Sequence, residues 1–533
     1  MPVSCSQQPA GRGPRFFLKV WAGFLVLLVL AFSPAFLRPH PAGAAGEPPK
    51  PTPEQLKKVL ADFAQYAEQA RQAWEVPGMA IAIVRDDRVI FAQGFGVKKA
   101  GAKDAVDEHT IFQIGSTSKA FTAALAAILV DGKKFAWQDR VIDHLADFRL
   151  FDPWVTREFR VEDLMAQRSG LPTHAGDAQS FLGFDRTQMI HSLRYVKPVT
   201  SFRSQFAYQN GLFLAAAALL EKYTGKTWET NVQERLFKPL GMSASSAGLT
   251  GLQQAKNAAS LHRKKDGRVT ALPPDWPYHF WVYLYGPAGG INSNVLDMTK
   301  WLRLQLGKGK YQDKQFISEA NQEFLQTPKI LMGSQFGGMN FYCQGWIYSA
   351  RHPYPLIWHN GGTSGHKTMV AFVPQAGVGI VVLSNLITNL PEALAFKFYD
   401  LYFQNPTKDW AKEMTALEEK VREAQKLPQP PTPPAPPLPL DRYTGAYQND
   451  IYGQAKVSAQ KDSLIVTLGP KQVQMTLRPW DRDNFLGAIE GLTQPGEETK
   501  AAFKIGGDGR ARSLLLDWDG ETEFSRLEEK AGQ

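Results

Sequence analysis

Cysteine is almost absent: Cys5 and Cys343 are the two in 533 residues. Cys5 lies in the leading segment described below, so Cys343 stands alone. That excludes a disulfide framework and a cysteine-built zinc site. No block of lysine and arginine occurs, which argues against a nucleic-acid partner. No Gly-x-Ser-x-Gly is present, so the nucleophile elbow of α/β-hydrolases is missing. The chain lacks internal repeats, and after the leading segment it has no apolar run long enough to span a bilayer. His352, His359 and His366 recur every seven residues without a cysteine or carboxylate to complete a ligand set, so neither metal nor cofactor is expected.

What the chain does have is length and apolar content, 533 residues at 44% hydrophobic, enough for two or three domains with large cores. Arg12, Arg15 and Lys19 precede an uncharged run from Val20 to Leu37, and Ala42-Gly43-Ala44 supplies small residues for cleavage. Residues 1–44 therefore read as a secretory signal peptide, with an uncleaved membrane anchor as the alternative. A periplasmic or secreted product fits the cysteine usage. The formal charge of +9 falls to +5 once the four bases of that segment (Arg12, Arg15, Lys19 and Arg38) are removed. Such a balance bears on solubility rather than on function.

Periodicity predicts a first helix over Glu54–Trp74 and a hairpin of Met79–Val84 with Arg88–Gln93. Further helices are expected at Val161–Gln167, Gly211–Tyr223, Val295–Leu306 and Glu392–Phe403, with a second hairpin of Lys367–Val373 and Val378–Ser384. Strands at both ends with helices between them indicate an α+β unit over residues 45–405 built on one antiparallel sheet. Residues 406–440 read as a linker: an exposed helix over Lys408–Lys426, then eight prolines in the fourteen residues Leu427–Leu440. Such a stretch favours polyproline II and a semi-rigid spacer of roughly 40 Å. Residues 441–533 alternate apolar and polar in short runs, among them Ala455–Val457, Ser463–Leu468, Val473–Leu477 and Ser513–Leu516. They predict a separate small β-domain.

Three segments carry chemistry. In Ile114-Gly115-Ser116-Thr117-Ser118-Lys119 a serine and an amine lie one turn apart at the start of an apolar helix, the spacing of a nucleophile and its base. The pattern recurs at Ser364–Lys367 and Ser458–Lys461, so spacing alone does not select it. Tyr208-Gln209-Asn210 precedes another apolar helix, and a phenol beside a lysine can relay a proton while an amide orients substrate. The same triplet recurs at Tyr447–Asn449. Trp358-His359-Asn360-Gly361-Gly362-Thr363-Ser364-Gly365 can run a backbone close beside a ligand and aim N–H groups at an oxyanion.

In this order the three segments resemble the penicillin-recognising serine hydrolases: class C β-lactamases, D-Ala-D-Ala carboxypeptidases, D-aminopeptidases and related esterases. Leu164–Pro172, Pro239–Met242 and Ala288–Ser293 look like the connecting motifs of that group. The resemblance implies a roughly five-stranded antiparallel sheet flanked by helices, an inserted all-helical subdomain, and an active site where the two meet. It also implies that Ser116 forms an acyl-enzyme, with Lys119 and Tyr208 as general base and acid. The N–H groups of Ser116 and Gly362 would make the oxyanion hole beside Gly361, and Asn210 would hold the substrate. Tyr443-Thr444-Gly445-Ala446-Tyr447 and Tyr452-Gly453 resemble a lipocalin-like module appended to such hydrolases.

His359 departs from the lysine that β-lactamases and carboxypeptidases of this group usually carry to meet a substrate carboxylate, and neutral imidazole binds a carboxylate less well. The reading is therefore an exported hydrolase of small ester, peptide or amide substrates. A β-lactamase or D-Ala-D-Ala carboxypeptidase is the alternative within the enzyme class, and a weakly catalytic peptidoglycan-binding or sensor protein the alternative outside it. Peptidoglycan fragments are candidate partners, and the C-terminal domain is a candidate for homo-oligomer assembly. Trp276, Tyr278, Phe280, Trp281, Tyr283 and Tyr285 crowd one stretch, either as core or as an apolar pocket wall.

Overall fold

The computed structural model describes residues 50–528 except residues 266, 337, 352–353, 406–407, 426, 428, 494–496 and 519. The expected signal peptide and His352 lie outside the described residues. Among the described residues no helix is long and apolar enough to cross a membrane.

The N-terminal elements are α1 (Pro53–Ala73), β1 (Gly78–Arg85), β2 (Arg88–Gly96) and α2 (Ser118–Asp131). A helical subdomain follows, with the single turn α3 (Gln179–Leu182), α4 (Gly211–Thr224) and then α5 (Val295–Leu306). The chain returns through β3 (Ile330–Gln335), β4 (Gly338–Tyr342), β5 (Ile347–Ala350), β6 (Leu356–Gly362), β7 (Lys367–Val373) and β8 (Val378–Ser384), then α6 (Leu390–Tyr402) and α7 (Trp410–Gln425). The sheet runs β3-β4-β5-β6-β7-β8-β1-β2 with every pairing antiparallel. It therefore has eight strands where about five were expected. Val161–Met165 forms a 3₁₀ helix where an α-helix was expected.

Both faces of the sheet are covered, which explains why β7 and β8 read as unbroken apolar runs rather than alternating ones. Val370, Phe372, Val381 and Leu383 face the helical subdomain, in one core with Phe121 of α2 and Trp301 of α5, whose rings stack at 3.8 Å. Met369, Ala371, Ile380 and Val382 face the other way, against Phe63 of α1 and Phe398 of α6. α7 is not the exposed helix its composition suggested: Trp410 and Met414 are buried in this second core.

The C-terminal strands β9 (Gly445–Asn449), β10 (Gly453–Gln460), β11 (Ser463–Leu468), β12 (Val473–Asp481), β13 (Asn484–Ile489), β14 (Thr499–Ile505), β15 (Ala511–Trp518) and β16 (Gly520–Arg526) form a closed barrel. Closure leaves no unpaired edge strand. The proline-rich stretch is not a free spacer. The N–H of Ala435 donates to Asp481 at 2.9 Å and that of Leu438 to the Tyr443 hydroxyl at 2.9 Å, so its second half lies along the barrel.

The barrel rests on the helical subdomain. Gln179 Nε2 donates to the Ile451 carbonyl at 2.8 Å and the Lys471 N–H to the Leu182 carbonyl at 3.1 Å, while Ala178 and Leu182 join the barrel's apolar cluster. Trp276 Nε1 donates to the Gly491 carbonyl at 2.7 Å, and Arg263 reaches the same carbonyl and that of Leu492.

Candidate active site

Ser116 sits in a 3₁₀ turn, Gly115–Thr117, that runs directly into α2. A helix apolar on all sides belongs inside a core, and α2 is buried along most of its length. The turn lies against the end of β6 because glycine occupies both contact points. Gly115 has φ +53°, and a Cβ there would stand 2.6 Å from the Gly362 nitrogen. A Cβ on Gly361 would stand 2.0 Å from the Ile114 carbonyl oxygen and 2.5 Å from Thr368 Oγ1. Gly361→Ala is thus expected to lose about 1–3 kcal/mol of stability and roughly 10²-fold in turnover, because β6 must move away from Ser116. Thermal melts with initial rates check this, and a variant matching the wild type in both would contradict the close approach.

Lys119 is fully buried. Its Nζ lies 3.3 Å from Ser116 Oγ and donates to Asn210 Oδ1 at 2.6 Å and to the Ala288 carbonyl at 3.0 Å. Burial lowers the amine to about 7, against a raising pull from the Asp177 carboxylate. At neutral pH a substantial fraction is therefore the free amine, able to take a proton. Lys119 also stands 4.6 Å from the centre of the Tyr208 ring.

Burial pushes the Tyr208 phenol well above its ordinary value, and a hydrogen bond with Ser116 pulls it partly back. The triplet is anchored through its middle residue. The Gln209 N–H donates to Gln167 Oε1 at 2.6 Å and Gln167 Nε2 returns a bond to the Gln209 carbonyl at 3.0 Å, so the Leu164–Pro172 segment holds Tyr208 and Asn210 in place. Asn210 precedes α4 at the cap position, where asparagine normally accepts a helix N–H, yet it makes no side-chain cap bond. Its amide is spent instead on Lys119 and, through Nδ2 at 2.6 Å, on Asp177.

His359 is buried, and burial, together with the positive charges of Lys119 and Lys367, lowers it to about 3. It lies 2.6 Å through Nδ1 from the Asn360 carbonyl and 3.0 Å through Nε2 from the Tyr342 hydroxyl. A carbonyl only accepts, so Nδ1 carries the hydrogen and Nε2 accepts from tyrosine. Both ring nitrogens of this neutral imidazole are engaged.

The remaining candidates separate cleanly. Ser364 Oγ accepts from Trp281 Nε1 at 2.8 Å and Lys367 pairs with the buried Glu392 at 2.9 Å, so this second Ser-x-x-Lys does not form a nucleophile and base. Ser458 and Tyr447 belong to the barrel strands β10 and β9. His366 Nδ1 accepts the Gln113 N–H at 2.8 Å, a structural bond. Of the aromatic stretch, Trp281 and Tyr285 line the cleft over Ser116 with Phe206, Met332 and Ile347, while Tyr283 bonds Asn292 at 2.8 Å and Trp276 faces the barrel. Sequence reasoning missed Asp177 and His174, whose signal is a His-x-x-Asp one residue after Gly170-Leu171-Pro172, and Tyr342, which only strand pairing brings to His359.

Comparison with known proteins bears on the family and the fold. The family described as Beta-lactamase matches residues 63–397, and a domain of unknown function, DUF3471, matches residues 429–531. An unguisins hydrolase of Aspergillus campestris is 28% identical over 86% of this chain and 89% of its own length, and protein flp of Staphylococcus aureus is 22% identical over 60% and 61%. The octameric penicillin-binding protein homologue of Pyrococcus abyssi superposes with a TM-score of 0.58 at 21% identity, over 87% of this chain and all of that one. With the matched family spanning residues 63–397 and thus more than half of the chain, this serine hydrolase belongs to the beta-lactamase family.

Proposed function

We propose that the protein is exported after removal of residues 1–44 and cleaves small ester or amide substrates through an acyl-enzyme on Ser116. The observation that carries this is the convergence of Ser116, Tyr208 and a buried Lys119 whose amine sits at about 7. The neutral Lys119 amine takes the Ser116 proton as Oγ attacks the carbonyl carbon. The oxyanion is received by the N–H groups of Ser116 and Gly362, and the Asn210 Nδ2 hydrogen that is not given to Asp177 holds the substrate beside Lys119. Tyr208, too costly to ionise where it is buried, acts as the relay. It gives its proton to the departing oxygen or nitrogen and is replenished from the Lys119 ammonium, after which water hydrolyses the ester on Ser116 by the same route.

The state of His359 supports a substrate without a carboxylate at that position. A neutral imidazole whose N–H is given to Asn360 and whose lone pair accepts from Tyr342 offers a carboxylate neither charge nor donor. Lys367 also lines the cleft, but its charge is matched by Glu392. The apolar lining of Phe206, Trp281, Tyr285, Met332 and Ile347 suits an uncharged acyl or peptide group. That a 28% identical relative is named a hydrolase of unguisins agrees with hydrolysis as the reaction.

A substrate panel tests the reading: p-nitrophenyl esters and D-amino-acid amides against D-Ala-D-Ala peptides and nitrocefin, which carry a free carboxylate. Substrates without a carboxylate are expected to be preferred in kcat/KM by roughly 10²-fold or more, the loss expected when a site gives a carboxylate no partner. Preference for nitrocefin or D-Ala-D-Ala would overturn it, as would a fluorophosphonate adduct mapped anywhere but Ser116. Sequencing the N-terminus of the exported product tests cleavage after Ala44.

A further inference from the structure

We propose that Asp177 is a positioning residue: it fixes the orientation of the Asn210 amide that faces Lys119 and places a negative charge beside the catalytic amine. The inference rests on the Ser116–Lys119 reading above. Asp177 is completely buried, and its Oδ2 lies 2.6 Å from both Asn210 Nδ2 and His174 Nδ1. A carboxylate oxygen only accepts, so the amide must turn its NH₂ group to Asp177, which leaves Oδ1 for Lys119 at 2.6 Å. Turned the other way, the amide would set its oxygen against the carboxylate and its N–H groups against the ammonium. Asp177 makes that arrangement expensive, and it acts on Lys119 through Asn210 without touching substrate.

The loop that carries Asp177 is itself held from several sides. The His174 N–H donates to the Tyr208 carbonyl at 2.8 Å, Ser180 Oγ to the Asp177 carbonyl at 2.9 Å, and the Tyr285 hydroxyl to the Gly176 carbonyl at 3.1 Å. The titratable groups facing Lys119 are Tyr208 and Asp177 from the helical subdomain, with His174 behind Asp177. From the sheet come His359 and Tyr342, with the Lys367–Glu392 pair beyond. The two phenols and His359 are neutral where they are buried, so Asp177 supplies the charge that favours protonated Lys119. Removing that charge releases the amine at lower pH. The limb of kcat/KM that rises as Lys119 loses its proton then moves towards acid.

The test is kcat/KM against pH on a p-nitrophenyl ester for wild type, Asp177→Asn, Asp177→Ala and Ser116→Ala. Wild type is expected to rise through about pH 7. Asp177→Asn retains an oxygen for Asn210 and loses only the charge, so its limb is expected about one unit lower, with a plateau within roughly tenfold of wild type. Asp177→Ala loses the orientation as well and is expected to fall by roughly 10²-fold or more. The position of the limb does not depend on the fraction of folded enzyme, and fluorophosphonate titration gives the active fraction for the plateau. An Asp177→Asn limb that coincides with wild type or moves to higher pH overturns the inference, as does an Asp177→Ala plateau equal to wild type. An inactive Ser116→Ala beside an unmoved Asp177→Asn limb removes this inference alone, whereas an active Ser116→Ala removes the acyl-enzyme reading and this inference with it.

Discussion

Ser116→Ala is expected to lower kcat/KM on esters by about 10⁴-fold or more while leaving the protein folded. The expectation follows from where the turn gets its shape. Gly115 and Gly361 set the approach to β6, and the Ile114 carbonyl is fixed by the Thr117 and Thr368 hydroxyls, each at 2.8 Å. Ser116 Oγ contributes a long contact to Lys119 and a bond with Tyr208, so its loss costs about 1 kcal/mol. In a chain of this size that moves the melting temperature by only a few degrees. Ester hydrolysis, fluorophosphonate labelling and a thermal melt are the three readouts. A variant within tenfold of wild type, or one still labelled at the same rate, would refute the nucleophile.

Lys119→Met is the second large effect, and it separates activity from stability. Activity is expected to fall by about 10³- to 10⁴-fold, because the proposed base is gone and no other amine touches Ser116 Oγ among the described residues. Stability is expected to behave differently. Burial puts the folded-state amine at about 7, below the 10.5 of a free lysine. The unfolded chain therefore binds more protons between those values, and wild-type stability rises as pH climbs through that window. Below it the buried site carries a penalty on the order of 5 kcal/mol, which methionine does not incur. Part of that gain is returned because Asn210 Oδ1 and the Ala288 carbonyl lose their donor. At pH 6 the variant should melt no lower than wild type, and from pH 7 to 10 its melting temperature should climb less. Equal climbs in the two proteins would show that the lysine is not held near neutrality.

Much of this site was legible before any coordinates. Ser116–Lys119, Tyr208–Asn210 and His359–Gly362 are short, contiguous and ordered along the chain, so their side chains come together through local geometry at three chain positions. β7, β8 and α5 begin and end where apolar runs and turn residues place them. β3 escaped because its buried and exposed residues do not alternate cleanly, and β4 and β5, which do alternate in burial, are only five and four residues long. α7 was misread because an Ala-, Glu- and Lys-rich helix can still bury one stripe, here Trp410 and Met414. The least legible facts are relational. That His359 is spent on Tyr342 depends on the register of β4, β5 and β6. That Asn210 faces Asp177 depends on how two loops of the helical subdomain meet.

The way α3 is gripped has a consequence for recombination between relatives. A Cβ on Gly469 would stand 2.5 Å from Leu182 Cβ, and one on Gly183 would stand 2.5 Å from the Lys471 side chain. Two residues of a barrel turn are thus fitted to a helix that begins two positions after Asp177. A chimera joined within the proline-rich stretch cuts neither folded unit, yet it replaces this turn with a donor's. Such crossovers are not silent: the imported turn must accept Leu182 and Gly183 as they stand, or the misfit is passed along the five peptide units from Leu182 to Asp177. Compatible parents are therefore recognised by the small residues at 183 and 469 rather than by overall similarity of their barrels.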